Sequence, residues 1–349
     1  MASSLSPELW FHRQATHYVT AQIYFHLNQV GVFSELATLQ PRSASQLAEL
    51  LQLDASVLDT LLSYLYEVDE LLQRNEQGQY SLSAMGVQVI ERFSGPPSAE
   101  RRSINLFDVR VGGYGAVWAG LGDLAAGRAT YGTQVQRNGK QAESGVLKLA
   151  SHFLGCLLKQ QRTLAVSQVL ELGLTTGLLE QLGKACPGLS LFGLDRSEAA
   201  LSRARERAAA ANVTQLQLLQ ADLFEVDGWA PRVAAQSASK GMLFSLHFHE
   251  FLAKGKEALV HWLRTVRQHL PGWYVVALEQ PRLLHSERAT TSESLWLYAQ
   301  SNVLIHHLIG NGRILTKDEW AALGQSASCP LVSCDSCDYL GYHAFVFEL

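Results

Sequence analysis

The chain has 349 residues, of which 47% are hydrophobic and 17% are charged, and its net charge is −4. This composition is typical of a globular protein with a large buried core and excludes a disordered chain. The acidic balance offers no surface for nucleic acid, no apolar run is long enough to span a membrane, and the first residues lack a signal-peptide pattern. We therefore expect a cytoplasmic protein with neither a nucleic-acid nor a membrane partner.

The first predicted elements are helices followed by a hairpin. Helical spacing covers residues 18–27, 43–51 and 55–68, and residues 71–82 read as two short strands around Gly78. Helix, helix and hairpin in this order predict a winged-helix domain over residues 1–98.

Two features indicate what this domain does. Residues 18–27 are apolar on more than one face, which is typical of a helix that is buried or lies against a partner chain. The would-be recognition helix over residues 55–68 contains Asp59 and Glu67 but no Lys or Arg, so phosphate would repel it. We predict a homodimer formed through the N-terminal helices rather than a DNA-binding module.

A Gly/Pro/Ser-rich linker at residues 94–98 precedes the second predicted domain, residues 99–349, which begins with a helical connector. From residue 166 onward, apolar strands alternate with helices, and the chain ends in a hairpin over residues 331–348. This pattern predicts an α/β fold, a Rossmann-like parallel sheet with a terminal antiparallel hairpin.

The first strand of that sheet leads into a glycine turn with the sequence Val-Leu-Glu-Leu-Gly-Leu-Thr-Thr-Gly, residues 169–177. Gly173 and Gly177 let the backbone approach a ligand closely, although Thr175 stands where the middle glycine of a nucleotide fingerprint is usual. Asp195, at the tip of the second strand, can accept both hydroxyls of a ribose. Asp222, after the third strand, can contact the exocyclic amine of an adenine. Together they predict an adenosyl ligand.

This order of parts resembles class I S-adenosylmethionine-dependent methyltransferases over nearly the whole chain. It is most similar to the small-molecule O-methyltransferases that have an N-terminal winged-helix dimerisation domain. Residues 244–251 match that family's His-Asp-Trp type motif, with His249 at the position of the general base and Glu250 replacing the acid. Residues 310–320 look like its Gly-Gly-x-Glu-Arg-Thr-x-x-Glu-Trp element.

The resemblance implies an enzyme that transfers a methyl group from S-adenosylmethionine to a small-molecule acceptor, in the manner of secondary-metabolite biosynthesis. His249 and Glu250 are its predicted catalytic residues. The predicted cofactor-binding residues lie in the glycine turn and at the strand ends: Glu171, Gly173, Thr175, Gly177, Asp195, Arg196, Asp222, Leu223 and Ser245.

The sequence departs from the family at the acidic residue that assists the catalytic histidine, because that position falls at Ile314, which cannot orient an imidazole. Two alternatives stay open. His249 and His306, with His247 or His307, could bind Fe or Zn and support C-methylation of a 2-oxo acid or acyl substrate. The chain could also bind S-adenosylmethionine for a role other than methyl transfer.

Overall fold

The computed structural model describes residues 6–94, 108–174, 176–236, 240–337 and 340–349. The chain divides into two compact units, Met1–Gly122 with Val135–Lys148 and Asp123–Gln134 with Leu149–Leu349. The predicted boundary between residues 98 and 99, together with residues 95–98 of the predicted linker, lies outside the described residues. Each unit has its own apolar core.

The first unit is mainly helical. Its elements are α1 (Pro7–Gln29), α2 (Val32–Leu36), α3 (Ala44–Leu51), α4 (Ala55–Val68), β1 (Leu72–Arg74), β2 (Tyr80–Leu82), α5 (Ala84–Ser94), a π-helical turn (Asp108–Gly113) and α6 (Gly115–Ala119). The predicted hairpin is present, because β1 and β2 pair in antiparallel fashion. Buried Tyr80 ties it to α4 through hydroxyl hydrogen bonds of 2.8 Å with Ser63 and 3.1 Å with Asp59.

The second unit is built around a seven-stranded sheet. Along the chain, α6 is followed by α7 (Leu121–Ala125) and α8 (Gly139–Thr163), which precede the first strand of this sheet. There follow β3 (Gln168–Leu172), α9 (Leu178–Ala185), β4 (Ser190–Asp195), α10 (Glu198–Ala210), β5 (Leu216–Gln220), α11 (Val226–Ala234), β6 (Gly241–Ser245), α12 (Phe248–Phe251), α13 (Lys256–His269), β7 (Tyr274–Glu279), α14 (Glu293–Leu308), α15 (Lys317–Ala327), β8 (Leu331–Ser336) and β9 (His343–Glu348).

The strand order is β5-β4-β3-β6-β7-β9-β8, and the first five strands are parallel. Strand β9 runs antiparallel to both β7 and β8, which confirms the predicted terminal hairpin. Strand β3, the first of this sheet along the chain, has β4 on one side and β6 on the other, so the strand order reverses between β3 and β6. In open α/β sheets, ligands bind at such a reversal, outside the carboxyl ends of the strands.

Apolar side chains cover both faces of the sheet. Successive residues of a strand point to opposite faces, so Leu170 and Leu243 belong to one core and Val169 and Met242 to the other. This explains why the central strands read as continuous apolar runs rather than as alternating ones. Within the described segments, no helix combines the length and the apolar character needed to cross a bilayer.

Candidate active site

Polar residues lie at the carboxyl ends of neighbouring parallel strands in the second unit. Asp195 ends β4, Ser245 ends β6 and Glu279 ends β7. Gly173 directly follows β3, and Asp222 comes shortly after β5. These ends border the crevice where the strand order reverses. Tertiary structure thus gathers positions that the sequence spreads over more than a hundred residues.

The glycine turn after β3 is fixed by the acid that ends β4. Gly173 and Gly177 have φ angles of +81° and +69°, a region that favours glycine. The Leu174 amide donates to Asp195 Oδ2 at 3.0 Å, and the Ser197 amide donates to Asp195 Oδ1 at 2.8 Å. Each carboxylate oxygen therefore has a set orientation and keeps lone pairs for a ligand hydroxyl.

Glu171, near the end of β3, is almost fully buried, with 1% of its surface exposed. Its Oε1 accepts a hydrogen bond from the Thr176 hydroxyl, and its Oε2 has no hydrogen-bond partner among the described residues. Burial raises the pKa of Glu171 to about 8, although the hydrogen bond from Thr176 favours the carboxylate. Thr175, another predicted residue of this turn, lies outside the described residues.

Arg207, on α10, links the glycine turn to the following helix, α9, and no sequence pattern pointed to it. Its Nη2 donates to the Leu174 carbonyl at 3.1 Å, and its Nε donates to Glu180 Oε1 at 3.1 Å. A Cβ at Gly177 would lie 3.5 Å from the same Nε. The guanidinium therefore packs directly against the turn.

The remaining predicted cofactor residues differ in exposure. Asp222 Oδ1 accepts from the Phe224 amide at 2.9 Å, and the Leu223 carbonyl accepts from Trp262 Nε1 at 2.8 Å. Both residues are half-buried and held in place, whereas Arg196 is exposed.

Ser245 is buried and has an internal role. Its hydroxyl donates to the Leu172 carbonyl at 3.0 Å and accepts from the His247 amide at 3.0 Å. It joins the ends of β3 and β6 and sets the direction in which the chain leaves β6.

His249 lies in the short helix α12 that follows β6, and it is buried. Its Nδ1 is 3.0 Å from Glu279 Oε2 and 3.1 Å from Glu279 Oε1, and its backbone amide donates to Oε1 at 2.9 Å. Burial alone would lower the pKa of His249. The charge and hydrogen bond of Glu279, with a contribution from Glu250, outweigh burial and raise the pKa above its ordinary value.

Glu279 gives His249 an acidic partner, whereas the resemblance described above placed that partner at the position of Ile314. Ile314 is buried and apolar, as its sequence predicts, and it gives His249 no carboxylate. Since a carboxylate accepts, Glu279 favours the imidazole tautomer with the proton on Nδ1 and the lone pair on Nε2. The signal for Glu279 was present in the sequence, because it is one more acid at the end of an apolar strand.

Glu250 belongs to a second polar group beside His249. Its Oε1 lies 3.3 Å from His247 Nδ1 and 3.3 Å from Asn311 Nδ2. Burial alone would raise the pKa of Glu250, but the hydrogen bond and charge of His247, with His249 and Asn311, lower it to about 2. Glu250 is therefore a carboxylate at neutral pH.

Two of the other predicted histidines lie close to His249. The ring centroids of His249 and His306 are 4.3 Å apart, and those of His249 and His247 are 6.3 Å apart. His307, one residue along α14, is exposed to solvent. Potential ligand atoms of His247, His249 and Glu250 all lie within 4.8 Å of one another, a spacing that a metal ion could bridge.

The residues at the strand ends fit an adenosyl cofactor. The carboxylate of Asp195 is oriented by two backbone amides, and the turn beside it has glycine where a Cβ would crowd its neighbours. A Cβ on Gly173 would lie 3.1 Å from the His247 ring, so the turn and the histidine segment leave little room for any larger residue. The glycine turn and the segment that contains His247 and His249 are thus adjacent.

No protein-family model and no curated protein matches the sequence. Solved structures do match it. A provisionally assigned O-methyltransferase from Nostoc punctiforme PCC 73102 has 16% identity and a TM-score of 0.71, with 99% of this chain and 100% of that chain covered. CalO1, a methyltransferase in calicheamicin biosynthesis, solved with SAH bound, has 18% identity and a TM-score of 0.66, with 100% and 99% covered.

A third match is RosA from Streptomyces davawensis, an N,N-8-amino-8-demethyl-D-riboflavin dimethyltransferase. It has 15% identity and a TM-score of 0.60, with 99% of both chains covered. At these identities the likeness concerns the fold, and it confirms the predicted one. The chain has the fold of class I S-adenosylmethionine-dependent methyltransferases.

Proposed function

We propose that this chain is an S-adenosylmethionine-dependent methyltransferase that acts on a small-molecule acceptor, as in natural-product biosynthesis. The observation that carries the proposal is the buried His249–Glu279 pair at the carboxyl edge of the sheet. His249 lies two residues along the chain from His247, whose ring is close to Gly173 of the glycine turn. The methyltransferase structures that the chain resembles support the proposal. They include both O- and N-methylating proteins, so the acceptor atom is not part of the proposal.

In this proposal Asp195 binds the ribose hydroxyls, Asp222 and Leu223 bind the adenine, and the turn from Glu171 to Gly177 lies against the rest of the cofactor. When bound, the cofactor supplies an electrophilic methyl group on a sulfonium. The protein then has to hold an acceptor in line with that methyl and remove its proton.

His249 removes that proton. Glu279 holds the imidazole with the Nδ1 proton facing the carboxylate, which leaves the Nε2 lone pair for the acceptor. As the imidazole becomes charged, the same carboxylate stabilises it, as in other buried histidine–carboxylate pairs. The ionised Glu250, a predicted catalytic residue, adds to this stabilisation from its place beside His247.

Cofactor binding tests the first half of the proposal. In calorimetric titrations with S-adenosylmethionine and S-adenosylhomocysteine, the wild-type chain should bind both. Asp195→Asn should bind at least about tenfold more weakly, because it loses charge-assisted hydrogen bonds. The exposed Asp318→Asn is the matched control. A wild-type chain that binds neither compound would rule out methyl transfer altogether.

The second half is tested by His249→Ala. This variant should bind S-adenosylhomocysteine like the wild type but form none of it from S-adenosylmethionine with an acceptor that the wild type methylates. Retained turnover would remove the base assignment. If the wild type bound the cofactor but methylated no member of a broad panel of phenols, amines and 2-oxo acids, a role other than methyl transfer would be favoured.

A second candidate function is metal-assisted C-methylation of a 2-oxo acid. The clustering of His247, His249 and Glu250, with the His306 ring against His249, supports it. Fe or Zn held by these side chains would polarise the substrate carbonyl and favour its enolate. Elemental analysis of the purified protein, with and without a chelator, separates the candidates. Metal-assisted C-methylation would be favoured if the protein contained a stoichiometric metal and if His306→Ala and His247→Ala each lowered the metal content.

We also propose that the N-terminal unit is a winged-helix dimerisation domain. The helix–helix–hairpin order of α3, α4, β1 and β2 supports the winged-helix assignment. The exposed aromatic side chains of α1 support the role in dimerisation, since large apolar groups in contact with water are typical of an interaction surface.

A further inference from the structure

Asn311 lies at the one nitrogen of His249 that Glu279 leaves available. Its side-chain Nδ2 is 3.4 Å from His249 Nε2 and 3.3 Å from Glu250 Oε1. The carboxamide nitrogen carries two hydrogens, so one can face the carboxylate and the other the imidazole. Both distances are at the long end of the hydrogen-bond range, so an incoming group displaces these contacts at little cost.

The backbone around Asn311 is built to hold it there. The Asn311 amide donates to the His306 carbonyl at the end of α14 at 3.0 Å, and the Arg313 amide donates to the His249 carbonyl at 3.3 Å. Gly312, with φ +86°, passes so close that a Cβ would fall 1.7 Å from the His249 carbonyl oxygen. Residues 311–313 therefore pack against the backbone of His249, the proposed base.

We infer that Asn311 is a further catalytic residue, whose amide N–H donates to the same acceptor oxygen that gives its proton to His249. This inference rests on the proposed function and narrows its acceptor. An acceptor oxygen within hydrogen-bond distance of both His249 Nε2 and Asn311 Nδ2 donates its O–H to the imidazole and accepts the N–H of the carboxamide. The O–H bond breaks, the proton moves to Nε2, and the negative charge left on oxygen is stabilised by Asn311. The oxygen lone pair then forms the new O–CH₃ bond while the sulfonium C–S bond breaks and its electron pair stays on sulfur.

The neutral amide of Asn311 and the imidazole of His249 can together deprotonate only a hydroxyl group that is already weakly acidic. A phenol ionises near pH 10, about three to four units above an ordinary histidine, and the Asn311 hydrogen bond narrows that gap. An alkyl alcohol ionises at a pH close to that of water, about 16, which leaves too large a gap for an imidazole. The role inferred for Asn311 therefore requires an acceptor as acidic as a phenol or an enol.

The test uses 4-nitrophenol, whose phenolate absorbs in the visible, bound in the presence of S-adenosylhomocysteine. For the wild type, the bound phenol should ionise at a lower pH than the free phenol. In Asn311→Leu the pH of ionisation should move back toward that of the free phenol, and at a given pH the ratio of bound phenolate to bound phenol should fall about tenfold. Asn311→Asp has the same shape without the N–H and should show at least that loss. Gln217→Leu, which removes an exposed amide on β5, is the matched control.

A double-mutant comparison separates contact with the acceptor from a supporting role through Glu250. Asn311→Leu should still shift the ionisation when it is introduced into Glu250→Gln. No further shift in that background would overturn the inference, and so would an ionisation that Asn311→Leu leaves unchanged. Failure of 4-nitrophenol to bind a chain that binds S-adenosylhomocysteine would overturn the phenol assignment alone. Failure to bind S-adenosylhomocysteine would instead overturn the proposed function.

Discussion

His249 and Glu279 are the residues on which the proposed chemistry depends, and they differ in how visible they are in the sequence. His249 stands in a motif, whereas Glu279 is a single acid after an apolar strand. Only the pairing of β6 with β7 brings the two together, with Nδ1 3.0 Å from the carboxylate.

The carboxylate of Glu279 should control the titration of His249. Replacing it in Glu279→Gln removes the charge that raises the pKa of His249 and leaves burial, which lowers it. The pKa of His249 should therefore fall. It can be measured by NMR titration of the histidine ring, with the other histidine signals as internal controls. An unchanged or higher pKa would contradict the assigned partner.

The same pair sets the expected pH dependence of methyl transfer. Only the neutral imidazole accepts a proton, so the rate should rise with pH through the raised pKa of His249 and then reach a plateau. In Glu279→Gln this rise should occur at lower pH, and the plateau should be lower by on the order of a hundredfold, because the imidazole has lost its orienting and stabilising partner.

Glu171 should make the folded state less stable as pH rises. Its pKa is about 8 in the folded chain against an ordinary value of 4.5, so the unfolded chain releases this proton first. Between these pH values stability falls with rising pH. In chemical denaturation, Glu171→Gln should match the wild type near pH 4.5 and be more stable by roughly 2–4 kcal/mol at pH 8. Glu348→Gln, at an exposed position, is the control; an equal effect at both pH values would contradict the assignment.

At the scale of elements, the segment after α14 is a structural support of the candidate base. Gly310 and Gly312 both have positive φ angles, +63° and +86°, but their surroundings differ. Nothing lies within 4 Å of a Cβ built on Gly310, whereas a Cβ on Gly312 would collide with the His249 backbone. The two glycines therefore separate the cost of backbone strain from the cost of a clash.

This difference gives a matched pair of variants. Gly310→Ala should cost about 1 kcal/mol through its positive φ alone. Gly312→Ala should cost more, by a further 1–3 kcal/mol, because the segment must move away from His249. Thermal or chemical denaturation measures both, and methyl transfer should fall only in Gly312→Ala. Equal effects of the two substitutions would show that the close approach to His249 does not matter.

At the scale of the whole molecule, the proposed homodimer rests on the surface of α1. Its side chains Trp10, Phe11 and Tyr18 are 54%, 69% and 58% exposed in the single chain. Burying an exposed Phe or Trp side chain against a second copy removes apolar surface from water, and this favours association in proportion to the area buried. Such a surface is hard to explain on a monomer.

Light scattering coupled to gel filtration tests this surface. The wild type should elute with the mass of a dimer, and the double substitution Trp10→Glu with Phe11→Glu should give a monomer at micromolar concentration. Val57→Glu changes an equally exposed apolar residue on α4 and should leave the mass unchanged. A wild-type monomer, or a dimer that survives the double substitution, would remove the proposed interface.

The sequence alone determined the class of fold and the ligand edge of the sheet. Apolar runs such as residues 169–172 and 189–194 specify buried parallel strands, and the glycines and Asp195 mark the proposed cofactor site, because these signals are local in the chain. His249 was found in the same way, through a short motif. The ends of β3 and β4 lie within one residue of the ends of these two runs.

Tertiary structure decided which residues act together. Glu279, Arg207 and Asn311 reach the site from β7, α10 and the segment after α14, and each makes its contact with a residue 30 or more positions away. No local pattern indicates these three contacts, because a hydrogen bond depends on distance and direction in space rather than on spacing in the chain. A local pattern can place a histidine at the end of a strand, but only the packed sheet supplies its carboxylate partner.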